Sequence, residues 1–290
     1  MTQTVVTQET SAQRGWAAAA VMAVTIFSVV TAEMLPVGLL TPMSEALRVT
    51  EGTAGLSLTV TGLVAAVSAP ALPRVLGSLD RRIVLVGLML VLAISSLLAA
   101  AAPTFAVLVA ARVLTGVSMG GVWLLTVGLA PRLVAAQSVG PATSLIFSGI
   151  AVASVLGVPA GAYVGDLAGW RWAFAAIGLL ALTLAAALAY LLPPLPAAAP
   201  TQVSEVLKLR QVRRGLLLVA LLVTAHFSAY TYVRPMLEDL ADASPALLGT
   251  VLLTYGVAGV LGNFVAGAAR SPRAMLGVIS VVLAAAVLLL

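Results

Sequence analysis

The 290-residue chain has no cysteine and a single histidine, and only 9% of its residues are charged. Without cysteine there is no disulfide framework, thioether haem attachment or thiolate metal site, and His226 alone cannot build a multi-histidine metal cluster. A soluble domain carries about 25% charged residues, so a water-soluble globular protein is excluded as well. Two enzyme signatures are also missing. Tyr163 stands where a Gly-x-Gly-Asp pattern ending in Gly165-Asp166 would need glycine, and no His-Glu-x-x-His occurs. The net charge of +5 would suit nucleic acid only if it were gathered on a soluble surface. The basic residues lie instead in short loops between apolar runs. Neither a nucleic acid partner, a metal nor an organic cofactor is expected.

What the chain has in abundance is hydrophobic residues, at 61%. Apolar segments cover residues 16–40, 53–77, 83–102, 105–129, 139–163, 172–192, 215–237, 246–269 and 274–290. Each is near the ~20 residues a helix needs to cross ~30 Å of hydrocarbon. Their continuous hydrophobicity excludes the alternating strands of a barrel. Lys and Arg accumulate in cytoplasmic loops, and one orientation satisfies that rule. With the N-terminus inside, the inner segments hold eleven bases against Glu9, Asp80 and Glu205, while the outer ones hold three bases against six acids. The expected location is therefore the inner membrane, multi-pass, with a cytoplasmic N-terminus. Val30-Thr31-Ala32 could end a signal peptide, but the run is long and further spans follow, so an uncleaved first helix is expected.

Pro193-Pro194-Leu195-Pro196 and Pro200 end the sixth span, because proline cannot continue a helix. The expected organisation is an all-α polytopic transmembrane helix bundle. It comprises a cytoplasmic N-terminus (1–15), a six-helix bundle (16–192), a cytoplasmic linker (193–214) and an incomplete bundle (215–290). An offset of 193 residues lays Pro42-Met43-Ser44-Glu45-Ala46-Leu47 on Pro235-Met236-Leu237-Glu238-Asp239-Leu240, where a duplicated six-span unit would place it.

A carboxylate in hydrocarbon costs about 2.5–3.5 kcal/mol, which makes Glu33 in the first span a functional candidate. Arg112 lies at a similar depth in the fourth span, ~10–12 Å below the outer surface at 1.5 Å per residue. Two readings are open. In one, Glu33 carries a proton that Arg112 displaces when close and readmits when the helices part. In the other, the two form a static ion pair that fixes packing. The 193-residue offset carries Glu33 onto His226, and His226, Tyr230 and Arg234 fall on one helical face that could contact a ligand. Trp123 and Asn263 are further substrate-binding candidates, through aromatic stacking and an amide in need of a partner. Gly149, Gly157, Gly161 and Gly165 with Pro159 mark the fifth span as a close-packing, bendable helix, read either as static packing or as a rocking contact.

These residues resemble the major facilitator superfamily, in particular its bacterial drug:proton antiporters. The stretch from Glu33-Met34-Leu35-Pro36 to Leu40 is similar to the first span of the branch exporting sugars, arabinose-like compounds and purine ribonucleosides. Glu51-Gly52-Thr53-Ala54-Gly55 and Tyr230-Thr231-Tyr232-Val233-Arg234-Pro235 look most like the purine ribonucleoside exporters. Arg112-Val113-Leu114-Thr115-Gly116 matches the superfamily's fourth-span motif, and Gly157-Val158-Pro159-Ala160-Gly161 resembles the antiporter motif of the fifth. The loop motif between spans two and three keeps Asp80-Arg81, a gating and packing pair, but has Leu76 where glycine is expected. The resemblance implies proton-coupled efflux of a small organic solute, first among them purine ribonucleosides. Protons would be the only coupling ion, and the protein would work as a monomer surrounded by membrane lipid. The family has twelve spans, so a chain stopping within the ninth is expected to be truncated. The alternatives are a truncated protein that transports nothing and a sugar efflux transporter.

Overall fold

The computed structural model describes residues 2–196, 208–267 and 277–282, without the side chains of residues 2–12, 240, 241, 259, 260 and 262–267. The middle of the expected linker, most of the expected ninth span and the side chain of Asn263 therefore lie outside the described residues. The chain is helical throughout, with no strand among the described residues. The first four helices are α1 (Thr2–Leu47), α2 (Glu51–Leu76), α3 (Arg81–Ala100) and α4 (Phe105–Thr126). A short α5 (Ala130–Leu133) leads to α6 (Val139–Val152), one π-helical turn (Ala153–Gly157), α7 (Val158–Ala168) and α8 (Trp170–Leu191). Then come α9 (Arg210–Tyr230), α10 (Val233–Ala241) and α11 (Pro245–Gly267). With the α6–α7 and α9–α10 units counted once each, seven stretches among the described residues are long and apolar enough to cross a membrane.

The helix ends follow local chemistry. Thr50 caps α2 by accepting the Thr53 N–H, and Asp80 caps α3 by accepting the Arg82 N–H at 2.8 Å. Pro159 has no N–H for the carbonyl of Val155, and the fifth span widens there into the π turn.

The axis of the bundle is α1, where Met22, Ile26, Val29, Leu35 and Leu39 are almost wholly buried. It packs against α6, α7 and α8 on one side and α2 and α4 on the other. The glycines of the fifth span make this possible. A Cβ at Gly149 would overlap the carbonyl of Ala23, one at Gly157 the hydroxyl of Thr31, and those at Gly161 and Gly165 the methyls of Leu35 and Leu39. Hydrocarbon supplies no hydrophobic drive between helices, so such close approach is what holds them together. On α4, Gly116 and Gly120 likewise lie against the backbone carbonyls of Thr61 and Ala65 on α2. From the later helices, α10 touches α1, and α11 lies on the π turn and α7 with Gly256 directly on the carbonyl of Ser154.

Candidate functional site

A proline inside a helix leaves the carbonyl four residues before it without its helical donor. Helix α1 contains Pro36 and Pro42, which free the carbonyls of Ala32 and Gly38. Within hydrocarbon neither can turn to water. Each is met by an arginine from another helix: Arg112 Nη1 of α4 donates to Ala32 O at 2.9 Å, and Arg234 Nη1 of α10 donates to Gly38 O. Both residues are buried, at 1% and 6% exposure. The two prolines thus dictate where the two buried cations of the site are held.

Arg112 also donates Nη2 to Glu33 O at 3.0 Å, and its Nε points at Ser57 O at 3.4 Å. Its guanidinium lies 6.0 Å from the centre of the Phe174 ring. Glu33 and Arg112 are therefore brought together, but through the main chain. The guanidinium grips the backbone at Glu33, and no ion pair joins the two side chains among the described residues. A direct static ion pair is thereby corrected: the freed carbonyl of Ala32 competes for the same donors, and the half-buried carboxylate stands beside the cation with no hydrogen bond to it. The hydroxyls of Ser28, Thr31 and Ser57 are buried in these same segments of α1 and α2 without protein partners.

The expected line of His226, Tyr230 and Arg234 is broken. Helix α9 ends at Tyr230, the chain turns through Thr231 and Tyr232, and α10 begins at Val233, so Arg234 belongs to a separate helix from the other two. His226 and Tyr230 do stack, with centroids 5.7 Å apart and planes 15° apart. Tyr255 of α11 completes the group, 4.6 Å from Tyr230, with its hydroxyl 2.8 Å from His226 Nε2. Arg234 instead bonds Asp166 of α7 and Glu238 of its own helix, each at 2.9 Å. The hydroxyl of Thr41 lies within hydrogen-bond reach of Glu238 and, at 3.1 Å, of Glu51. Together these groups tie α10 to α1, α2 and α7 at the end of the bundle away from the N-terminus.

Trp123 is half-buried and already has an aromatic partner, Phe147, at 6.3 Å. Asp80 accepts the Leu195 N–H at 2.9–3.0 Å while Arg81 N–H donates to Leu195 O at 2.8 Å, tying the chain after α8 to the start of α3. Tyr255, Asp166, Glu238 and Thr41 escaped the reading of the sequence as site residues. Pro36 and Pro42 signalled only that the carbonyls of Ala32 and Gly38 need donors, which are the two arginines, and they did not mark these four residues.

The sequence profile of the Major Facilitator Superfamily matches residues 21–290. Among curated relatives, the "Transcription regulatory protein OpdE" of Pseudomonas aeruginosa is 37% identical over 255 residues, covering 86% of this chain and 63% of that protein. The "Purine ribonucleoside efflux pump NepI" of Salmonella typhimurium is 32% identical over 255 residues, covering 87% and 64%. The chain thus spans less than two thirds of the length of these relatives. Among solved structures, an inward-facing, unoccupied bacterial homologue of the lysosomal transporter Spinster superposes with a TM-score of 0.69 at 14% identity, over 90% of this chain and 64% of that one. A D-xylose-proton symporter superposes at 0.62 with 18% identity, over 87% and 67%. At those identities the likeness is one of fold.

Proposed function

Because this chain belongs to the Major Facilitator Superfamily, whose members are multi-pass membrane transporters rather than enzymes, we propose that it exports a small organic solute in exchange for protons. It would sit in the inner membrane as a monomer with a cytoplasmic N-terminus, and protons would be its only coupling ion. The observation that carries this reading is the placement of Glu33. Its carboxylate lies inside the bundle beside a buried guanidinium held by the backbone, and it makes no hydrogen bond among the described residues. Such a group can load and release a proton, and its charge is tolerated only while Arg112 stays close. A movement of α4 against α1 changes that distance and so couples protonation to conformation. One proton moving inward contributes ~2.3 kcal/mol per 100 mV, enough for about a fiftyfold solute gradient.

The stacked His226, Tyr230 and Tyr255 favour a flat, partly polar solute, since aromatic planes stack on such rings and the imidazole and phenols add hydrogen bonds. Purine ribonucleosides meet that description and are the solute named for one relative. The other relative's name concerns transcription, yet the unpaired intramembrane carboxylate of Glu33 favours transport. The test is Glu33→Gln in the full-length protein reconstituted in liposomes. Inosine-dependent proton movement is expected to vanish while membrane insertion is kept, and proton-coupled flux at the wild-type rate would overturn the assignment.

A further inference from the structure

A cavity of about 750 Å³ lies at the end of the bundle nearest the N-terminus, between the turn of α1 at Arg14 and Gly15, the start of α3, α5 and the end of α8. Three arginines on three different helices line it, Arg14, Arg82 and Arg132, together with Tyr190. Among the described residues no carboxylate lines it. The neighbouring Asp80 has its oxygens engaged by the backbone N–H groups of Arg82 and Leu195.

Two of the guanidiniums are anchored. Arg82 Nη2 donates to Ala189 O, and Arg132 Nη2 donates to Pro196 O at 2.8 Å. A guanidinium has five N–H donors, so each keeps others for a ligand while its position is held. Arg14 is placed by its neighbour. Gly15 lies directly on the carbonyl of Leu133, where any Cβ would overlap it, and this contact sets the rim of α1 against α5. Three planar, weakly hydrated cations converging on a cavity match the geometry of a phosphate group, which arginine binds through paired N–H donors.

The flank of the cavity is apolar. Tyr190, on its lining, is 82% exposed, and Ile83, next to Arg82 in the chain, is 63% exposed, so exposed ring and aliphatic side chains accompany the arginines. A ligand with an anionic head and an apolar tail fits both features. We propose that this cavity binds a phosphate ester, supplied by the headgroup of an anionic phospholipid; basic pockets between helices on the cytoplasmic side suit such headgroups. The site is separate from Glu33 and from the His226 group, and it stands whether or not the protein exports a solute.

The test uses native mass spectrometry of the full-length protein in detergent. Dioleoyl-phosphatidylglycerol is titrated, with dioleoyl-phosphatidylcholine as the background and inorganic phosphate as competitor. Each arginine near an anionic lipid contributes about a fivefold gain in binding. Phosphatidylglycerol is expected to bind about fivefold more weakly to Arg14→Gln and to Arg132→Gln, and unchanged to Arg213→Gln, an equally exposed base on α9 outside the cavity. Arg14 makes no hydrogen bond among the described residues, so its replacement leaves the anchoring contacts intact. Retention of the lipid in millimolar phosphate assigns the site to the lipid. Displacement of the lipid by phosphate, with the same variant pattern for phosphate-induced thermal stabilisation, assigns it to a soluble phosphate ester. Equal binding by wild type, Arg14→Gln and Arg132→Gln, or an equal loss in Arg213→Gln, overturns the proposal.

Discussion

If Arg112 is held because Pro36 orphans the carbonyl of Ala32, the two residues must be energetically coupled, and a double-mutant cycle can measure it. Arg112→Met removes the donor to Ala32 O while roughly keeping side-chain length. The carbonyl of Glu33 keeps its own helical donor, so the uncompensated loss is one buried carbonyl, costing about 1–3 kcal/mol. Pro36→Ala restores a peptide N–H four residues beyond Ala32. In the Arg112→Met background that N–H has an empty acceptor to fill, whereas in the wild-type background the acceptor is already engaged. Any gain from removing a proline from a helix, and any cost of leaving Glu33 without its cation, is common to both arms and cancels. The expected coupling is about 1–2 kcal/mol, or several degrees in melting temperature. Thermal unfolding of the four full-length proteins in detergent, followed by tryptophan fluorescence, gives the cycle. If Pro36→Ala shifts the melting temperature equally in both backgrounds, the carbonyl does not hold the arginine.

Other consequences are open to direct test. A Cβ at Gly149 overlaps the Ala23 carbonyl and lies 2.9 Å from Phe27 N, both backbone, so Gly149→Ala forces α1 and α6 apart at about 1–3 kcal/mol. Gly161→Ala meets only a Leu35 methyl beside a void of about 140 Å³ and should cost clearly less; equal melting temperatures would refute this ranking. Arg234→Gln unpairs Asp166, Glu238 and the Gly38 carbonyl, so labelling of Ser44→Cys in this cysteine-free chain should rise several-fold, and unchanged labelling would contradict a tie at that end. Asp80→Ala removes both the α3 cap and the acceptor of the Leu195 N–H, a loss of about 1–2 kcal/mol. It should appear as faster hydrogen exchange at Leu195 and in the first turn of α3, and unaltered exchange at both places would count against it.

Much of the architecture was legible in the residues because it rests on constraints that act locally. Hydrocarbon thickness and the need to satisfy every backbone group dictate helices of this length. Glycine at four-residue intervals in the fifth span signals a helix that another must touch, and α1 is the helix it touches. The shared depth of Glu33 and Arg112 follows from counting 1.5 Å per residue. The manner of their meeting does not, because it depends on the rotation of two helices and on the carbonyl that Pro36 frees. Arg234 shows the limit most plainly. Its spacing from His226 and Tyr230 suits one face of a continuous helix, yet it lies beyond a two-residue break and bonds Gly38 and Asp166, acceptors nearly 200 and about 70 residues away in the chain. Tyr255 joins the aromatic group only because α11 folds back beside α9. The sequence by itself determined which segments span, which helices can approach closely and which carbonyls need a donor. Tertiary structure alone decided which side chain answers each of them, since those partners lie far apart in the chain and meet only when helix depth, rotation and tilt are set together.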